Sequence, residues 1–242
     1  QALGRLYPWS HTLWEIQMTR WSMTLVLVLS AGVVQAQDRS ADTRLRARQL
    51  RGAIGRAIAY MGRRQAPNGS VGTQYPQGST CLSALAFMGS GRHSSSDPAL
   101  AAMLEYLAKS ETRSTYERGL RATVWEYALR QQPGNDRFRG LLRAELDWLM
   151  KAIGKGRGWR YNDASRDWDN SCTQYGVLGV WAGTRAGIEP SKGFWGRLSR
   201  HFLDCQNDDG GWGYTTGGSS PNMVTAGLAS LYLVFDNHYT RE

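Results

Sequence analysis

The stretch of sequence that decides the fold is QNDDGGWGY, from Gln206 to Tyr214. Acidic residues and paired glycines between two apolar segments indicate a turn, because glycine adopts left-handed backbone conformations at little cost. A bulky indole directly after the glycines is more than such a turn needs in order to end a helix. What Trp212 does there is the question, and a second copy of the stretch helps to answer it.

The second copy is QAPNGSVG, Gln65–Gly72, which aligns with QNDDGGWG, Gln206–Gly213. Both copies read Gln, two free positions, Asn or Asp, Gly, a small residue, an apolar residue and Gly. Each follows a helical segment and precedes an apolar helix rich in small residues. Two weaker copies lie between them, and one keeps GWRY where the last copy has GWGY. Aromatic residues mark the first helix of each unit every 42 to 54 residues, at Tyr60, Tyr106, Trp148 and Phe202. This period predicts one helical hairpin per repeat.

Local signals support helices throughout the repeats. Asp97 followed by Pro98 is typical of a helix start, with Asp as the N-cap and Pro at the first helical position. The residues that follow, PALAAMLEYLAK, place apolar side chains at three- and four-residue spacing. The second helix of each pair is rich in Gly and Ala, which permits close approach of neighbouring helices. We therefore expect an all-α fold in paired layers.

The turn motif resembles the Gln-x-x-Asp-Gly-x-Trp motif of the squalene–hopene cyclase and protein prenyltransferase superfamily. The resemblance covers Leu45 to about Asn237, and is strongest to exported bacterial prenyltransferase/squalene-oxidase-repeat proteins. It implies an α/α toroid in which Gln caps a helix end and stacks on Trp, Gly makes a left-handed turn, and Trp plugs the junction between hairpins. The residues carried over to this structural motif are Gln65, Gly69, Gln206, Asp209, Gly210 and Trp212. About four hairpins are visible, so we expect an open or incomplete ring that a partner domain or further repeats would complete.

A candidate for chemistry is DWDNSCTQYG, Asp167 to Gly176, which resembles the Asp-x-Asp-Asp-Thr-Ala acid motif of class II terpene cyclases. The resemblance implies that Asp169 is the proton donor to an isoprenoid and that Asp167 flanks it. Asn170 and Ser171 stand where the motif has Asp and Thr, which weakens the network that would keep the acid protonated. The competing interpretation is that Asp169 or Asn170 is only the N-cap of the following helix.

Two other relatives offer alternatives. Prenyltransferases bind zinc through Asp, Cys and His, but beside Asp169 and Cys172 the sequence lacks a third ligand, so we expect no metal and no cofactor. Pectate lyases with an α/α-toroid fold also carry DN-x-x-T before a GGW turn, so a polysaccharide lyase is a second alternative. The three cysteines, Cys81, Cys172 and Cys205, allow at most one disulfide, whose pairing the sequence leaves open, and free buried thiols are favoured.

The function expected from the sequence is a non-catalytic binding or scaffold module, with the question of enzymatic activity left open. Aromatic residues of the second helices are candidates to line a surface for an isoprenoid lipid or a glycan, although core packing is the competing role: Tyr116, Trp125, Tyr175 and Trp181. The net charge of +9 comes without a basic stripe or a nucleic-acid-binding motif. We expect no nucleic-acid partner, whereas attraction to a membrane or cell-envelope surface fits the charge.

The N-terminal segment has the pattern of a secretory signal. Residues 18–36 combine Arg20, an apolar run and small residues near Ala36, after which we expect cleavage and export to the periplasm or cell envelope. An uncleaved anchor is the alternative. Residues 1–17 precede a plausible start at Met18 and are expected not to be native. After the signal, we expect a linker at residues 37–44 and the repeat domain at residues 45–242.

Overall fold

The fold is all-α in the part of the chain described by the computed structural model, residues 24–91, 93–94, 97–154, 158–165 and 167–240, with side chains from residue 42 onward. Eight helices and no strand occur in these residues, which confirms the predicted fold class. The helices are α1 (Thr24–Arg63), α2 (Pro76–Gly89), α3 (Pro98–Lys109), α4 (Thr115–Gln131), α5 (Asp136–Ala152), α6 (Asn170–Arg185), α7 (Phe194–Asp204) and α8 (Pro221–His238).

The chain divides into two units, residues 1–57 and residues 58–242. In the first unit, the expected start of the signal sequence lies outside the described residues, and residues 24–57 are helical. Residues 37–44, expected as a linker, are therefore part of α1. The reason is local: no Gly or Pro interrupts residues 33–51, and Asp42 pairs with Arg46 one turn later at 2.9 Å. Among the described residues, no helix has the length and apolar character needed to cross a membrane.

The start of the repeat domain at Leu45 stays a prediction. The second unit begins at Ile58, and the apolar side chains before it in the helix are exposed: Leu45, Leu50 and Ile54. The buried core of the second unit begins with Ile58.

Within the second unit the helices form successive hairpins. The second helix of each hairpin contacts the next one, so α2, α4, α6 and α8 make a continuous row. The first helices flank this row: α3 contacts α2, α5 contacts both α4 and α6, and α7 contacts α8. The predicted small residues sit at the α4–α6 crossing, where a Cβ atom on Gly179 would lie 2.9 Å from the Gly119 Cα. Closure of the row into a toroid stays a prediction.

The repeated turn is built by the same backbone hydrogen bond in three hairpins. The bond runs from Ala66 N to Ser70 O at 2.8 Å, from Gly154 N to Gly158 O at 2.9 Å, and from Asn207 N to Gly211 O at 2.9 Å. In the first and last copies, a glycine with positive φ permits the reversal: Gly69 at 91° and Gly210 at 83°. The first, third and fourth repeats inferred from the sequence therefore share the geometry of this turn.

The glutamine repeated in this turn makes a defined contact in both copies. The side-chain amide of Gln206 donates to the Gly210 carbonyl at 2.8 Å, and that of Gln65 donates to the Gly69 carbonyl at 3.1 Å. Gln65 also donates to the carbonyl of Ala99 at 2.8 Å, which ties the first turn to the start of α3. The glutamine thus closes its own turn, rather than only capping the preceding helix as the resemblance implied.

The indole of Trp212 is buried between its hairpin helices. Its Nε1 donates to the Phe202 carbonyl at 2.8 Å, and a Cβ on Gly227 of α8 would lie 2.7 Å from the ring. Trp159 repeats the arrangement one hairpin earlier, donating to the Leu149 carbonyl at 2.8 Å below Gly176 of α6. Only glycine leaves room for an indole in this position. The geometry answers the opening question with a packing role for Trp212.

This equivalence shifts the predicted register of the repeats by one residue. Since Trp159 corresponds to Trp212, the counterpart of Phe202 is Leu149 and not Trp148. By the same count from the two glutamines, the counterpart in α1 is Met61 rather than the exposed Tyr60. An aromatic ring is a poor marker of this position, because the hydrogen bond that defines it uses a backbone carbonyl and constrains the side chain weakly.

Candidate functional site

The predicted acid motif lies at the start of α6, where Asp169 is the helix N-cap. Its Oδ1 accepts hydrogen bonds from the backbone N–H groups of Ser171 at 2.8 Å and Cys172 at 3.3 Å, and from the Ser171 hydroxyl. On the other side, Oδ2 lies 3.7 Å from Nη1 of Arg160. The expectation that Asp169 caps this helix is confirmed, and the buried carboxylate is surrounded by hydrogen-bond donors.

Asp167 does not share this environment. It is exposed, and its Oδ1 accepts from the backbone N–H of the following residue, Trp168, at 2.9 Å. A class II cyclase needs its acid in a dry cavity, supported by neighbouring groups that hold the proton. The described geometry gives one capping carboxylate and one solvated carboxylate.

Asn170 has a role that sequence reasoning missed. Its Nδ2 donates to the Gly213 carbonyl at 2.9 Å, its Oδ1 lies 3.0 Å from Nε2 of His201, and its backbone N–H donates to the Tyr214 carbonyl at 2.7 Å. The residue therefore joins the start of α6 to both α7 and the last turn. A carboxylate could not donate to Gly213, which explains why Asn stands where the cyclase motif has Asp. In the sequence, the sign of this role is that Asn170 replaces the Asp of the cyclase motif.

A Cys–His–Asn grouping is thereby brought together, but its geometry is not that of a nucleophilic site. His201 presents the same Nε2 atom to Asn170 at 3.0 Å and to Sγ of Cys205 at 4.0 Å. A catalytic His uses one ring nitrogen for the nucleophile and the other for its orienting partner. Burial raises the pKa of the Cys205 thiol above its usual range, which disfavours the thiolate.

Cys81 and Cys172 also lack the features of a reactive thiol. All three thiols are free, and Cys81 and Cys172 are buried. Burial, with a smaller contribution from the nearby Asp169 carboxylate, raises the pKa of Cys172 to about 11. Among the described residues there is no group of three His, Cys, Asp or Glu side chains that could hold a metal ion.

Two of the predicted surface aromatics do come together beside Asp169. The rings of Tyr116 and Tyr175 lie 4.6 Å apart, and Tyr161 lies 6.1 Å from Tyr116. The Tyr116 hydroxyl donates to the Ser171 hydroxyl at 2.7 Å, and burial raises the pKa of this tyrosine. The hydroxyl is thus committed to the helix start that Asp169 caps.

The other two predicted aromatics lie elsewhere. Trp125 is fully buried, packs against Phe138 with ring centroids 6.0 Å apart, and lines no accessible surface, which corrects the expectation for this residue. Trp125 lies where α4 meets α5 as well as the row formed by α2, α4, α6 and α8. Helical periodicity alone does not distinguish these two sides of α4. Trp181 is partly buried beneath the guanidinium of Arg185, 4.5 Å from the ring centroid.

An apolar groove lies on the last hairpin, away from all of these residues. It has a volume of about 390 Å³ and is bordered by α7 and α8, and its lining residues carry no charge: Ser199, Leu228, Leu231, Tyr232, Val234, Phe235 and Tyr239. Two further cavities, of about 420 and 150 Å³, have charged residues in their linings, including Arg143 in the first and Arg137 in the second. The groove therefore differs from them in chemistry.

Comparison with known proteins adds no assignment: no protein-family model, no curated protein and no solved structure matches the chain. The described residues hold a structural helix start at Asp169 and an uncharged groove on the last hairpin.

Proposed function

We propose that this protein is a non-catalytic helical-repeat module that binds an apolar, lipid-like ligand in the groove between α7 and α8. The observation that carries the proposal is the groove itself. Its volume of about 390 Å³ lies at the small end of the roughly 300–1,000 Å³ typical of ligand pockets, which are mostly apolar with a few polar groups. Three hydroxyls, from Ser199, Tyr232 and Tyr239, are the polar groups of the lining.

The exposure of the lining side chains supports the proposal. Tyr232 is 68% exposed and Phe235 59% exposed, and they lie in one stripe of α8 with Leu228 and Tyr239 at three- and four-residue spacing. Large apolar side chains grouped on one face usually mark a binding surface, whereas scattered ones do not. Covering them stabilises a complex by roughly 25 cal/mol per Å² of apolar surface removed from water. A chain-like lipid offers the matching surface, while a glycan would leave its hydroxyls opposite leucine and valine.

The hydrogen bonds at the start of α6 support the non-catalytic part of the proposal. Asp169 caps the helix, Asn170 connects two hairpins, and the Tyr116 hydroxyl is held by Ser171. Each of these side chains has a structural partner that accounts for its identity. The resemblance to terpenoid cyclases and prenyltransferases, the secretory signal and the exported location stay predictions from the sequence.

The test is a fluorescence titration of the full chain with the neutral apolar probe N-phenyl-1-naphthylamine. We expect saturable binding, weakened at least tenfold in Phe235→Glu because a charge then enters the groove lining. The matched control is Leu82→Glu, which changes an exposed leucine of α2 outside the groove and should leave the affinity unchanged. Thermal melting checks that both variants fold.

Two outcomes would overturn the proposal. One is the absence of saturable binding, or equal weakening in the two variants. The other concerns the oligomeric state. If the wild-type chain binds no probe and is dimeric by light scattering, and Phe235→Glu is monomeric, then a second copy of the chain covers the stripe. Probe binding to a monomer supports the lipid-like ligand.

A further inference from the structure

Residues 42–57 of α1 form an exposed surface that the proposed function does not use. Every side chain longer than alanine in this range is exposed. Leu50 is 65% exposed and Ile54 is 42% exposed, so both keep much of their apolar surface in contact with water. Large apolar side chains grouped on one exposed surface usually mark the binding site of a partner.

The apolar side chains of this range lie on one face of the helix. They follow one another at intervals of three, four and three residues, which is the spacing of a single helical face: Ala47, Leu50, Ile54 and Ala57. These four residues are called the α1 face below. At about 100° per residue, Arg44 and Arg51 border this face on one side and Arg46 borders it on the other. Leu45 lies on the far side of the helix.

The charge of residues 42–57 is strongly positive. Their ionisable side chains are one aspartate, Asp42, and five arginines, which gives a net charge of +4. Among the described residues, Arg46 is the only one of these arginines with an ion pair, to Asp42 at 2.9 Å. An exposed pair of this kind contributes little. The surface therefore combines exposed apolar side chains with positive charge that no described carboxylate offsets.

This combination favours one class of partner. A second copy of the helix would bring two surfaces of like charge together, because each carries five arginines and one aspartate. A nucleic acid would match the charge but leave Leu50 and Ile54 without an apolar partner. The surface of an anionic bilayer offers both contacts, because apolar side chains enter the acyl boundary while arginines reach the phosphate groups above it.

We propose that residues 42–57 bind the protein to an anionic lipid surface, with the helix lying along that surface. The α1 face enters the acyl boundary, and Arg44, Arg46 and Arg51 contact the head groups. This proposal concerns a different surface from the groove between α7 and α8 and does not depend on the ligand of that groove.

The experiment is a sedimentation titration of the full chain with two kinds of vesicle, one of phosphatidylcholine alone and one of equal parts phosphatidylcholine and phosphatidylglycerol. We expect binding to the anionic vesicles to be at least tenfold tighter and to weaken as salt screens the exposed charges. Leu50→Gln/Ile54→Gln should weaken it at least tenfold, because an amide is costly to bury in an apolar medium. Arg44→Gln/Arg51→Gln should do the same, since each basic side chain near an anionic surface strengthens binding about fivefold.

The matched control is Arg143→Gln/Arg200→Gln. It removes the same charge from exposed side chains of α5 and α7, so it should leave the vesicle affinity unchanged. Equal weakening in the two arginine variants would overturn the proposal, because the attraction would then follow net charge alone. Unchanged binding in Leu50→Gln/Ile54→Gln would also overturn it, because the α1 face would then have no part in the contact.

Three further results would overturn the proposal by giving the surface another role. One is tighter binding to a DNA duplex than to anionic vesicles. Another is a wild-type chain that is dimeric by light scattering while Leu50→Gln/Ile54→Gln is monomeric, because a second copy would then cover the α1 face. The third is vesicle binding that is lost in Phe235→Glu and kept in both α1 variants, which would place the membrane contact at the groove.

Discussion

The contact between Trp212 and Gly227 can be tested by a double-mutant cycle. The Trp212 side chain is 4% exposed, and its Nε1 donates to the Phe202 carbonyl at 2.8 Å. Replacing a buried Trp by Ala costs about 3–5 kcal/mol through lost burial and the cavity that remains. The carbonyl left without its donor adds about 1 kcal/mol. We therefore expect Trp212→Ala to lower the free energy of unfolding by about 5 kcal/mol, which is a large part of the roughly 5–15 kcal/mol of a typical domain.

The second corner of the cycle is Gly227→Ala. A Cβ there would lie 2.7 Å from the indole, and overpacking of this kind costs about 1–3 kcal/mol. In the double variant the added methyl occupies space that the indole has vacated. The two changes should therefore be less costly together than their sum, by at least about 1 kcal/mol, as expected for residues in direct contact.

The assay is urea unfolding of the wild-type chain, both single variants and the double variant, followed by circular dichroism. Tyr214→Ala is the control, because this side chain follows the same turn but is exposed, and it should change the free energy by less than about 0.5 kcal/mol. Additive costs for Trp212 and Gly227, or a near-neutral Trp212→Ala, would refute the packing role of the indole.

The helix start at residues 169–172 gives three further predictions. Asn170→Asp should lower the free energy of unfolding by about 2 kcal/mol in urea unfolding, since it removes the donor to Gly213 and buries a charge; an unchanged midpoint would contradict the connecting role. Asp169→Asn should keep the free energy of unfolding within about 1 kcal/mol of the wild-type value, because Asn caps a helix as well as Asp. If the wild-type chain forms a product from an isoprenoid and this stable variant does not, Asp169 is catalytic instead. Cys172 should react slowly with iodoacetamide at pH 8 and faster as the pH approaches its pKa of about 11, because a raised pKa leaves little thiolate at the lower pH; rapid alkylation of folded protein at pH 7 would contradict its burial.

The helical hairpins were predictable because their signals are local. A left-handed glycine, as at Gly210, an Asp-Pro helix start at Asp97, and a Gln placed to close its own turn each act within a few residues. Asp97 accepts from the N–H groups of the second and third residues after it at 3.0 and 3.2 Å, as its position predicted. Repetition of such local signals indicates an all-α repeat fold without any knowledge of long-range contacts.

The site was less predictable because its determinants are contacts between hairpins. The bond between Asn170 and Gly213 joins residues 43 positions apart, and nothing near Asn170 in the sequence indicates it. Trp125 and Tyr232 are both aromatic residues at helical spacing, yet one is fully buried and the other is 68% exposed. Spacing gives the face of a helix, but the neighbours of that face decide whether it forms core or surface. The groove stripe of α8 was visible as an apolar run and could not be separated from core packing.

The measurement that tests the account most directly is hydrogen–deuterium exchange of the full chain with and without saturating N-phenyl-1-naphthylamine. Binding in the groove predicts slower exchange confined to α7 and α8, at the backbone amides around Ser199 and from Leu228 to Tyr239. Protection at residues 167–176, around Asp169 and Tyr175, with α7 and α8 unchanged, would contradict the account and place the ligand at the acid motif.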